Sequence, residues 1–210
     1  MNVKKQMKYA IMVAIVFCLS FIIIGNTKAD AKSKASTKSK VVKVTVTEKS
    51  KNDMFYGIIK GVDKAGRTVW KYRTPSEVEG EISHVLCKTK GKYVYVVAAS
   101  TYFKLKKSNG KVVCSVQNLF LGGATTLNVQ KNGVFYVTTY YDNTLVKFSP
   151  NGKVIWADNF NSTKYFWPYK VKIKKKTVIV WFDNVDDDYT KLPHKMIISK
   201  KNGNILSGEY

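Results

Sequence analysis

The sequence has few of the residues that catalytic sites use most. It contains two histidines, His84 and His194, and neither has a cysteine or carboxylate at a zinc-ligand spacing. It also lacks a Gly-x-Ser-x-Gly nucleophile elbow, a phosphate-binding glycine loop and a dinucleotide-binding fingerprint. We therefore expect a protein without enzyme activity.

Arginine is scarce in a strongly basic chain. Lys and Arg together number 36 against 14 Asp and Glu, a formal net charge of +22, but Arg67 and Arg73 are the only arginines. The guanidinium group of arginine forms bidentate hydrogen bonds with phosphates and stacks on bases, so a composition poor in arginine argues against a nucleic-acid partner. The lysines are typical of a solvated surface encoded by an AT-biased genome, as in a low-GC Gram-positive type of bacterium.

The first 31 residues form an export signal. Lys4, Lys5 and Lys8 precede an uncharged apolar run at residues 9–25, and Ala29-Asp30-Ala31 offers a cleavage site between small residues. The run is close to the length of a membrane span, so residues 1–31 are either a signal peptide or an uncleaved membrane anchor. Residues 32–40 are rich in Lys and Ser and predict a flexible tether. We expect a protein that is secreted or anchored to the outer side of the cytoplasmic membrane.

A glycine-containing turn recurs along the rest of the chain. Gly66, Gly110, Gly152 and Gly203 each precede an extended stretch, at intervals of roughly 45 residues, a period typical of the four-stranded blades of β-propellers. Between these turns, alternating apolar and polar residues with many β-branched and aromatic side chains predict strands. We name the strands of each repeat a to d.

The predicted fold is all-β: a β-propeller of about four four-stranded blades over residues 41–210. The first repeat has predicted strands at Val41–Thr47, Gly57–Val62 and Arg67–Tyr72, and none at the position of strand a. An incomplete first blade leaves an unpaired strand edge, which is a template for association. The sequence therefore leaves open a self-contained unit, an open or partial propeller, and pairing with another chain.

Two repeats place a tryptophan four residues after the turn glycine, as Gly66/Trp70 and Gly152/Trp156. This pattern resembles the repeats of quinoprotein-like (PQQ-like) β-propellers, and the resemblance covers residues 41–210. It implies that Trp70 and Trp156 pack between neighbouring blades. Cys114 and Ser207 occupy the corresponding position in the second and fourth repeats, which departs from the family pattern.

The resemblance extends to two kinds of enzyme. Quinoprotein dehydrogenases hold their cofactor with dedicated ligands and a disulfide between adjacent cysteines, and this chain has no Cys-Cys pair, so we expect no quinone cofactor. Arylsulfotransferase-like propellers share the Gly-x-x-x-Trp turns but use a catalytic histidine in a longer chain. An enzyme remnant of that type, with His194 near the acidic residues 183–188, remains the less favoured alternative.

The two ends of the predicted strands differ in composition. The a–b and c–d turns carry many lysines and form what we call the turn face, whereas the b–c and d–a connections form the loop face. The loop face carries most of the acidic residues and several aromatic ones, Phe160 among them. Aromatic side chains on connections of a rigid scaffold are typical of binding sites. The candidate residues for binding a protein or glycan ligand are Tyr140, Tyr141, Asp142, Tyr165, Phe166 and Trp167.

One predicted b–c loop concentrates carboxylates at Asp183, Asp186, Asp187 and Asp188, which are candidate Ca²⁺ ligands. The glycine and the distal glutamate of an EF-hand loop are missing, so an ordinary solvated loop is the alternative. Calcium is the one cofactor that the sequence leaves open.

The function we predict from sequence is that of an exported, non-catalytic binding or scaffold module. Its basic turn face would lie against an anionic envelope surface, and its loop face would bind the ligand. The alternative is an assembly subunit that pairs with another chain to complete a larger propeller, and homo-oligomers are included in that alternative.

Overall fold

The structure is a computed structural model that describes residues 40–78, 85–98, 100–117, 123–160, 165–185 and 195–208. These residues form strands and turns. The strands are β1 (Lys43–Lys51), β2 (Met54–Val62), β3 (Thr68–Arg73), β4 (Glu77–Val78), β5 (Leu86–Lys90), β6 (Tyr93–Ala98), β7 (Thr101–Lys106), β8 (Val112–Val116), β9 (Ala124–Val129), β10 (Phe135–Thr139), β11 (Thr144–Phe148), β12 (Val154–Asn159), β13 (Tyr165–Ile173), β14 (Thr177–Val185), β15 (Lys195–Ser199) and β16 (Ile205–Gly208).

The strands form four antiparallel sheets of four strands each, in chain order. Blade 1 contains β1–β4, blade 2 contains β5–β8, blade 3 contains β9–β12 and blade 4 contains β13–β16. In blades 2 to 4 each strand pairs with its neighbour in sequence, which is the meander of a propeller blade. The four sheets are not closed. The prediction of an all-β propeller of about four four-stranded blades is confirmed, and among the arrangements that the sequence left open the structure shows the open one.

Among the described residues, no strand of blade 1 corresponds to strand a. Within the described residues β1 pairs with β2 alone, and the fourth strand, β4, is a two-residue segment that pairs with the other side of β2. The predicted ends of the first two strands were wrong, because β1 and β2 continue to a two-residue hairpin. That hairpin is Asn52-Asp53, with φ of 52° and 55°, the backbone of a type I′ turn that suits the twist of paired strands.

The hydrophobic core lies between the sheets. Alternation along each strand sends apolar side chains to both faces of a blade, and three clusters fill the spaces between blades 1 and 2, 2 and 3, and 3 and 4. In the middle cluster, Phe135 stacks on Tyr102 and on Phe148, with ring centroids 4.4 and 4.8 Å apart. Such fully buried rings contribute about 2–3 kcal/mol each through burial, so adjacent blades depend on each other.

We call the face of a blade that points to the following blade its front face, and the opposite one its rear face. On the front face of blade 1, Trp70 pairs with Gly61, and its indole ring lies against the turn glycine of blade 2. A Cβ atom added to Gly110 would lie 2.6 Å from Cε3 of Trp70. The indole Nε1 donates a hydrogen bond to the carbonyl of Lys107, 2.8 Å away in the same turn. Trp70 thus joins blade 1 to blade 2.

Trp156 makes the corresponding contact between blades 3 and 4. It packs on Gly203, and its Nε1 donates to the carbonyl of Lys200 at 3.3 Å. The same carbonyl accepts a 2.6 Å hydrogen bond from Nζ of Lys147, which pairs with Trp156 on the front face. Burial and the neighbouring charge of Lys200 lower the pKa of Lys147.

Blade 2 has Cys114 in place of the tryptophan, and other side chains fill the space. Tyr102 and Val116 pack on Gly152 of blade 3. The carbonyl of Pro150 accepts hydrogen bonds from Nζ of Lys104 at 3.2 Å and from the Tyr102 hydroxyl at 3.3 Å. Blades 2 and 3 are therefore joined by hydrogen bonds from Lys104 and Tyr102, whereas a tryptophan donates in the other two contacts.

Two further predictions need correction. Strands β13 and β14 are longer than predicted, so Tyr165, Phe166 and Asp183 lie in strands rather than in connections. Phe160 is fully buried and meets Phe182 edge to face, with centroids 5.0 Å apart, so it belongs to the core and not to a binding surface. It closes the loop-face end of the cluster between blades 3 and 4.

Several predictions lie outside the described residues. They concern the export signal at residues 1–31, the tether at residues 32–39, and His84, His194, Asp186, Asp187 and Asp188. In the part of the chain that the structure describes, no helix is long and apolar enough to cross a membrane.

Candidate binding surface

Three aromatic side chains meet on the loop face where blade 3 adjoins blade 4. Tyr140 and Tyr141 follow β10 in the b–c connection of blade 3, and Trp167 lies near the start of β13. The rings of Tyr140 and Trp167 stack with centroids 5.3 Å apart and planes 5° apart. Tyr141 meets Tyr140 edge to face at 5.4 Å. We call these three residues the aromatic cluster.

The aromatic cluster is partly open to solvent. Tyr141 is 49% exposed and Trp167 is 38% exposed, whereas the rings of the core are almost completely buried. Tyr and Trp combine a large apolar surface with a polar tip and lose little conformational entropy when they are held in place. An exposed, pre-stacked group of this kind is typical of binding sites for peptides and sugars.

The backbone beneath the cluster is held in an uncommon conformation. Trp167 has a φ of +61°, in the left-handed region that costs a non-glycine residue about 1–3 kcal/mol. The next carbonyl, that of Pro168, accepts a 2.6 Å hydrogen bond from Oγ1 of Thr125 in blade 3. This bond ties the start of β13 to the neighbouring blade. The tie fixes the direction in which Trp167 points.

The connection that carries the two tyrosines is also fixed by hydrogen bonds. The amide of Tyr140 donates to the carbonyl of Gly123 at 2.8 Å. The carbonyl of Asp142 accepts from Oγ1 of Thr144 at 2.7 Å and from Nδ2 of Asn159 at 2.8 Å. Gly123 itself has a φ of +62°, and a Cβ there would lie 2.8 Å from the Tyr141 ring. The surface is therefore organised before any ligand binds.

Asp158 is a half-buried carboxyl at the loop-face end of β12. Burial raises its pKa to about 6. Its Oδ2 atom has no hydrogen-bond partner among the described residues. In the sheet, Asp158 lies opposite Leu145 of β11. A carboxyl in such surroundings favours its protonated form near neutral pH more than a solvated one does.

The candidate residues from the sequence are partly brought together. Tyr140, Tyr141 and Trp167 meet in the cluster, and Asp142 lies beside it as a half-buried residue of the same connection. Tyr165 and Phe166 lie in β13, just before Trp167 in the chain. Asp183 is exposed in β14, and within the described residues no group of three or more potential metal ligands occurs.

Sequence reasoning missed the supporting residues Gly123, Thr125 and Pro168. A glycine before a predicted strand was a usable indication for the first of them. Thr125 and Pro168 gave none, because the hydrogen bond between them joins residues that are 43 positions apart in the chain.

The turn face contains a groove between blades 3 and 4. Its volume is about 470 Å³, and three lysines, Lys131, Lys174 and Lys200, contribute to its lining. The aliphatic side chains of Val129 and Ile173 form part of its floor. A groove with several ammonium groups suits an anionic ligand, with each contact screened by salt.

This chain belongs to the class of β-propeller proteins. It has four antiparallel sheets in meander order, and front-face side chains of one blade contact the turn glycine of the next. Among solved structures it is similar to BamB from Moraxella catarrhalis, with 17% identity and a TM-score of 0.50 over 78% of this chain and 50% of that one. At this level of identity the likeness concerns the fold.

Two other solved structures are also similar. One is a protein of unknown function from Bacteroides caccae, with 14% identity and a TM-score of 0.45 over 73% of this chain and 55% of that one. The other is a protein from Lactobacillus plantarum, with 13% identity and a TM-score of 0.47 over 84% of this chain and 59% of that one. The chain thus spans 50% to 59% of the length of these three proteins. No family model and no curated protein matches the sequence.

Proposed function

We propose that this chain is an exported, non-catalytic propeller module that binds a protein or glycan at the cell envelope through its aromatic cluster. The observation that carries the proposal is the stacking of half-exposed Trp167 on Tyr140 over a backbone fixed by hydrogen bonds. Aromatic anchors with little entropy left to lose are the side chains that dominate binding energy.

The turn face supports the second part of the proposal, in which the basic face lies against an anionic envelope surface. The lysines of the groove, Lys131, Lys174 and Lys200, lie at the opposite strand ends from the aromatic cluster. An anionic lipid or wall polymer bound there would leave the aromatic cluster pointing away from the envelope. Binding of this kind weakens as the ionic strength rises, because exposed charges are screened within about 10 Å at 0.1 M salt.

The test compares variants of the full-length chain in retention on purified envelope preparations. Tyr141→Ala and Trp167→Ala should each reduce retention at least tenfold at about 0.5 M salt, where the lysine contacts are screened. Ile155→Ala is the matched control, because Ile155 is also a large exposed apolar residue, 47% exposed, in the outer strand of blade 3. It should retain the wild-type level.

Treating the envelope with protease before the experiment separates the two classes of ligand. Loss of retention after protease identifies a protein ligand, and persistence identifies a glycan. The proposal fails if both aromatic variants are retained as well as the wild type at high salt while their thermal unfolding is unchanged.

A second function, that of an assembly subunit, is favoured by blade 1. Within the described residues β1 is the edge strand of its sheet and pairs with β2 alone. An edge strand is where a strand from another chain can join a sheet. This function does not depend on the aromatic cluster, which lies between blades 3 and 4.

A further inference from the structure

One contact between blades occurs three times among the described residues, and at the fourth position no described side chain supplies it. In blades 2, 3 and 4, a front-face side chain of the preceding blade covers the glycine of the c–d turn. Trp70 covers Gly110, Tyr102 and Val116 cover Gly152, and Trp156 covers Gly203, in each case 2.6–3.1 Å from the position of an added Cβ. The carbonyl two or three residues before that glycine accepts a side-chain donor in all three turns.

The turn of blade 1, residues 63–67, has the same backbone hydrogen bonds as the turn of blade 3, residues 149–153, whereas the turns of blades 2 and 4 are one residue longer. Gly66 has a φ of +78°, against +70°, +82° and +85° in the other turns, and its amide donates to the carbonyl of Asp63. The Asp63 carboxylate accepts from the amides of Ala65 and Arg67 and forms an ion pair with the Arg67 guanidinium at 2.9 Å. The turn is therefore fixed in the conformation that receives an aromatic ring elsewhere in the chain.

No described atom covers Gly66. Nothing lies within 4 Å of the position that an added Cβ would occupy, in contrast to the three covered glycines. The carbonyl of Lys64 corresponds in the turn to that of Pro150, which accepts two side-chain hydrogen bonds in blade 3. Blade 1 thus presents a docking position whose ring and donor come from outside the described chain.

Blade 4 of a second copy does not offer the missing groups. At the positions of Lys147 and Trp156, its front face carries Ile197 and Ser207, which pair with each other across β15 and β16. Neither side chain can stack on a glycine turn as an indole does, and Ile197 has no hydrogen-bond donor in its side chain. A head-to-tail dimer would therefore bring neither an aromatic ring nor a lysine donor to Gly66 from these two positions.

Charge also argues against a second copy. The rear face of blade 1 carries Lys43, Lys60, Lys71 and Arg73, and the rear-facing positions of β1, β2 and β3 include no carboxylate. The front face of blade 4 carries three lysines, Lys170, Lys172 and Lys195, against one carboxylate in its described strands, Asp183. Bringing these two faces together would set like charges against each other. The rear face of blade 1 is instead complementary to an acidic surface.

We propose that the turn at residues 63–67 and the rear face of blade 1 dock a β-sheet of a different protein, which places an aromatic ring over Gly66 and carboxylates opposite Lys60 and Lys71. This inference rests on the assembly function proposed above. It is independent of the aromatic cluster, so either proposal can fail alone.

The test uses a second chain that carries the aromatic ring and the carboxylates that the proposal assigns to the partner. We call the probe the tryptophan variant: the full-length chain with Ser207→Trp, Lys172→Glu and Lys195→Glu, all three at exposed positions. It would be passed over immobilised full-length wild type, with wild type itself as the reference analyte. The tryptophan variant should bind at least tenfold more tightly than the wild type does.

Three outcomes decide the proposal. Gly66→Leu in the immobilised chain should abolish the tenfold gain, whereas Gly91→Leu should not, since Gly91 also has a positive φ, +57°, and open space around it on the turn face. Trp167→Ala in either chain should leave the gain intact, which separates this docking from ligand binding at the aromatic cluster. The proposal is overturned if the folded tryptophan variant binds no more tightly than the wild type, or if Gly66→Leu leaves its binding unchanged.

A further result would identify the partner as a second copy of this chain. If wild-type chains bind each other as tightly as the tryptophan variant does, the occupant of blade 1 is this protein itself, and the acidic partner is excluded. Thermal unfolding of every variant establishes that the comparison is made between folded proteins.

Discussion

At the scale of single residues, Asp158 is the group whose ionisation should limit stability. Burial raises the pKa of this carboxyl to about 6 from the usual 3.8. The folded protein therefore binds a proton more readily than the unfolded chain does between these two values. Stability is highest below about pH 4 with respect to this group and falls as the pH rises through 6, because the charged form is then held in a partly desolvated position.

We expect Asp158→Asn to stabilise the protein at neutral pH. A shift of two pKa units corresponds to about 3 kcal/mol, and solvent screening of a half-exposed group reduces this to about 1 kcal/mol. The gain should be present at pH 7 and absent at pH 4, when thermal or denaturant unfolding is followed at both. Asp142→Asn is the matched control for removing one negative charge nearby. An equal gain for both variants, or a gain at pH 4, would contradict the assignment to Asp158.

The residues that hold the blades together were only partly predictable. Trp70 and Trp156 were predicted because their position after a turn glycine resembles the PQQ-like repeats, and that resemblance implies packing between blades. Lys104 and Lys147 were not, because a lysine within a strand ordinarily points to solvent, and their carbonyl partners lie 46 and 53 residues away. Local periodicity carries no information on such distant partners.

At the scale of elements, the c–d turns combine a backbone requirement with a packing requirement. A left-handed φ costs alanine, the smallest residue with a Cβ atom, about 1 kcal/mol. At Gly110 an added Cβ would also lie 2.6 Å from the Trp70 ring, which is itself held by its hydrogen bond to the carbonyl of Lys107. Such crowding in a packed interface costs a further 1–3 kcal/mol or so.

We therefore expect Gly110→Ala to destabilise the protein by about 2–4 kcal/mol and Gly91→Ala by about 1 kcal/mol. Both glycines have a positive φ, but nothing lies within 4 Å of the added Cβ at Gly91. Denaturant unfolding of the two variants and the wild type measures the difference. Equal losses would show that the contact between Trp70 and Gly110 adds nothing beyond the backbone strain.

Sequence patterns located the elements better than their ends. The β-branched and aromatic residues of Tyr93–Ala98 and Phe135–Thr139 are of the kind that predicts strands, and both segments are strands in the structure. In blades 1 and 4 the strands run past polar and acidic residues, as β1 does through Glu48 to Lys51, where alternation of apolar residues ends. Pairing with a neighbouring strand, rather than composition, keeps these ends extended.

The aromatic cluster was also only partly predictable from the sequence. The concentration of aromatic residues on the loop face indicated where a ligand could bind, and Tyr140, Tyr141 and Trp167 do meet there. Which aromatics point outward was not predictable, because Phe160 has a similar sequence setting and is buried. The difference comes from Phe182 in blade 4, which accepts Phe160 into the core.

At the scale of the whole molecule, charge governs what the open sheets can meet. The chain has a formal net charge of +22, and both the rear face of blade 1 and the front face of blade 4 carry lysines. The edge strand β1 adds Lys43, Lys49 and Lys51 along its length. Lysine on an edge strand opposes edge-to-edge pairing between identical chains.

We expect the full-length wild-type chain to remain monomeric by light scattering across a dilution series at about 50 mM salt in a mild detergent. Lys172→Glu with Lys195→Glu should increase association, because these changes place negative charge opposite Lys60 and Lys71. Lys90→Glu with Lys153→Glu alters the net charge equally and leaves both end faces unchanged, so it should stay monomeric. A wild-type dimer at low salt, or equal association of the two charge variants, would mean that net charge or a different surface governs assembly. In that case the basic rear face of blade 1 would not select the partner.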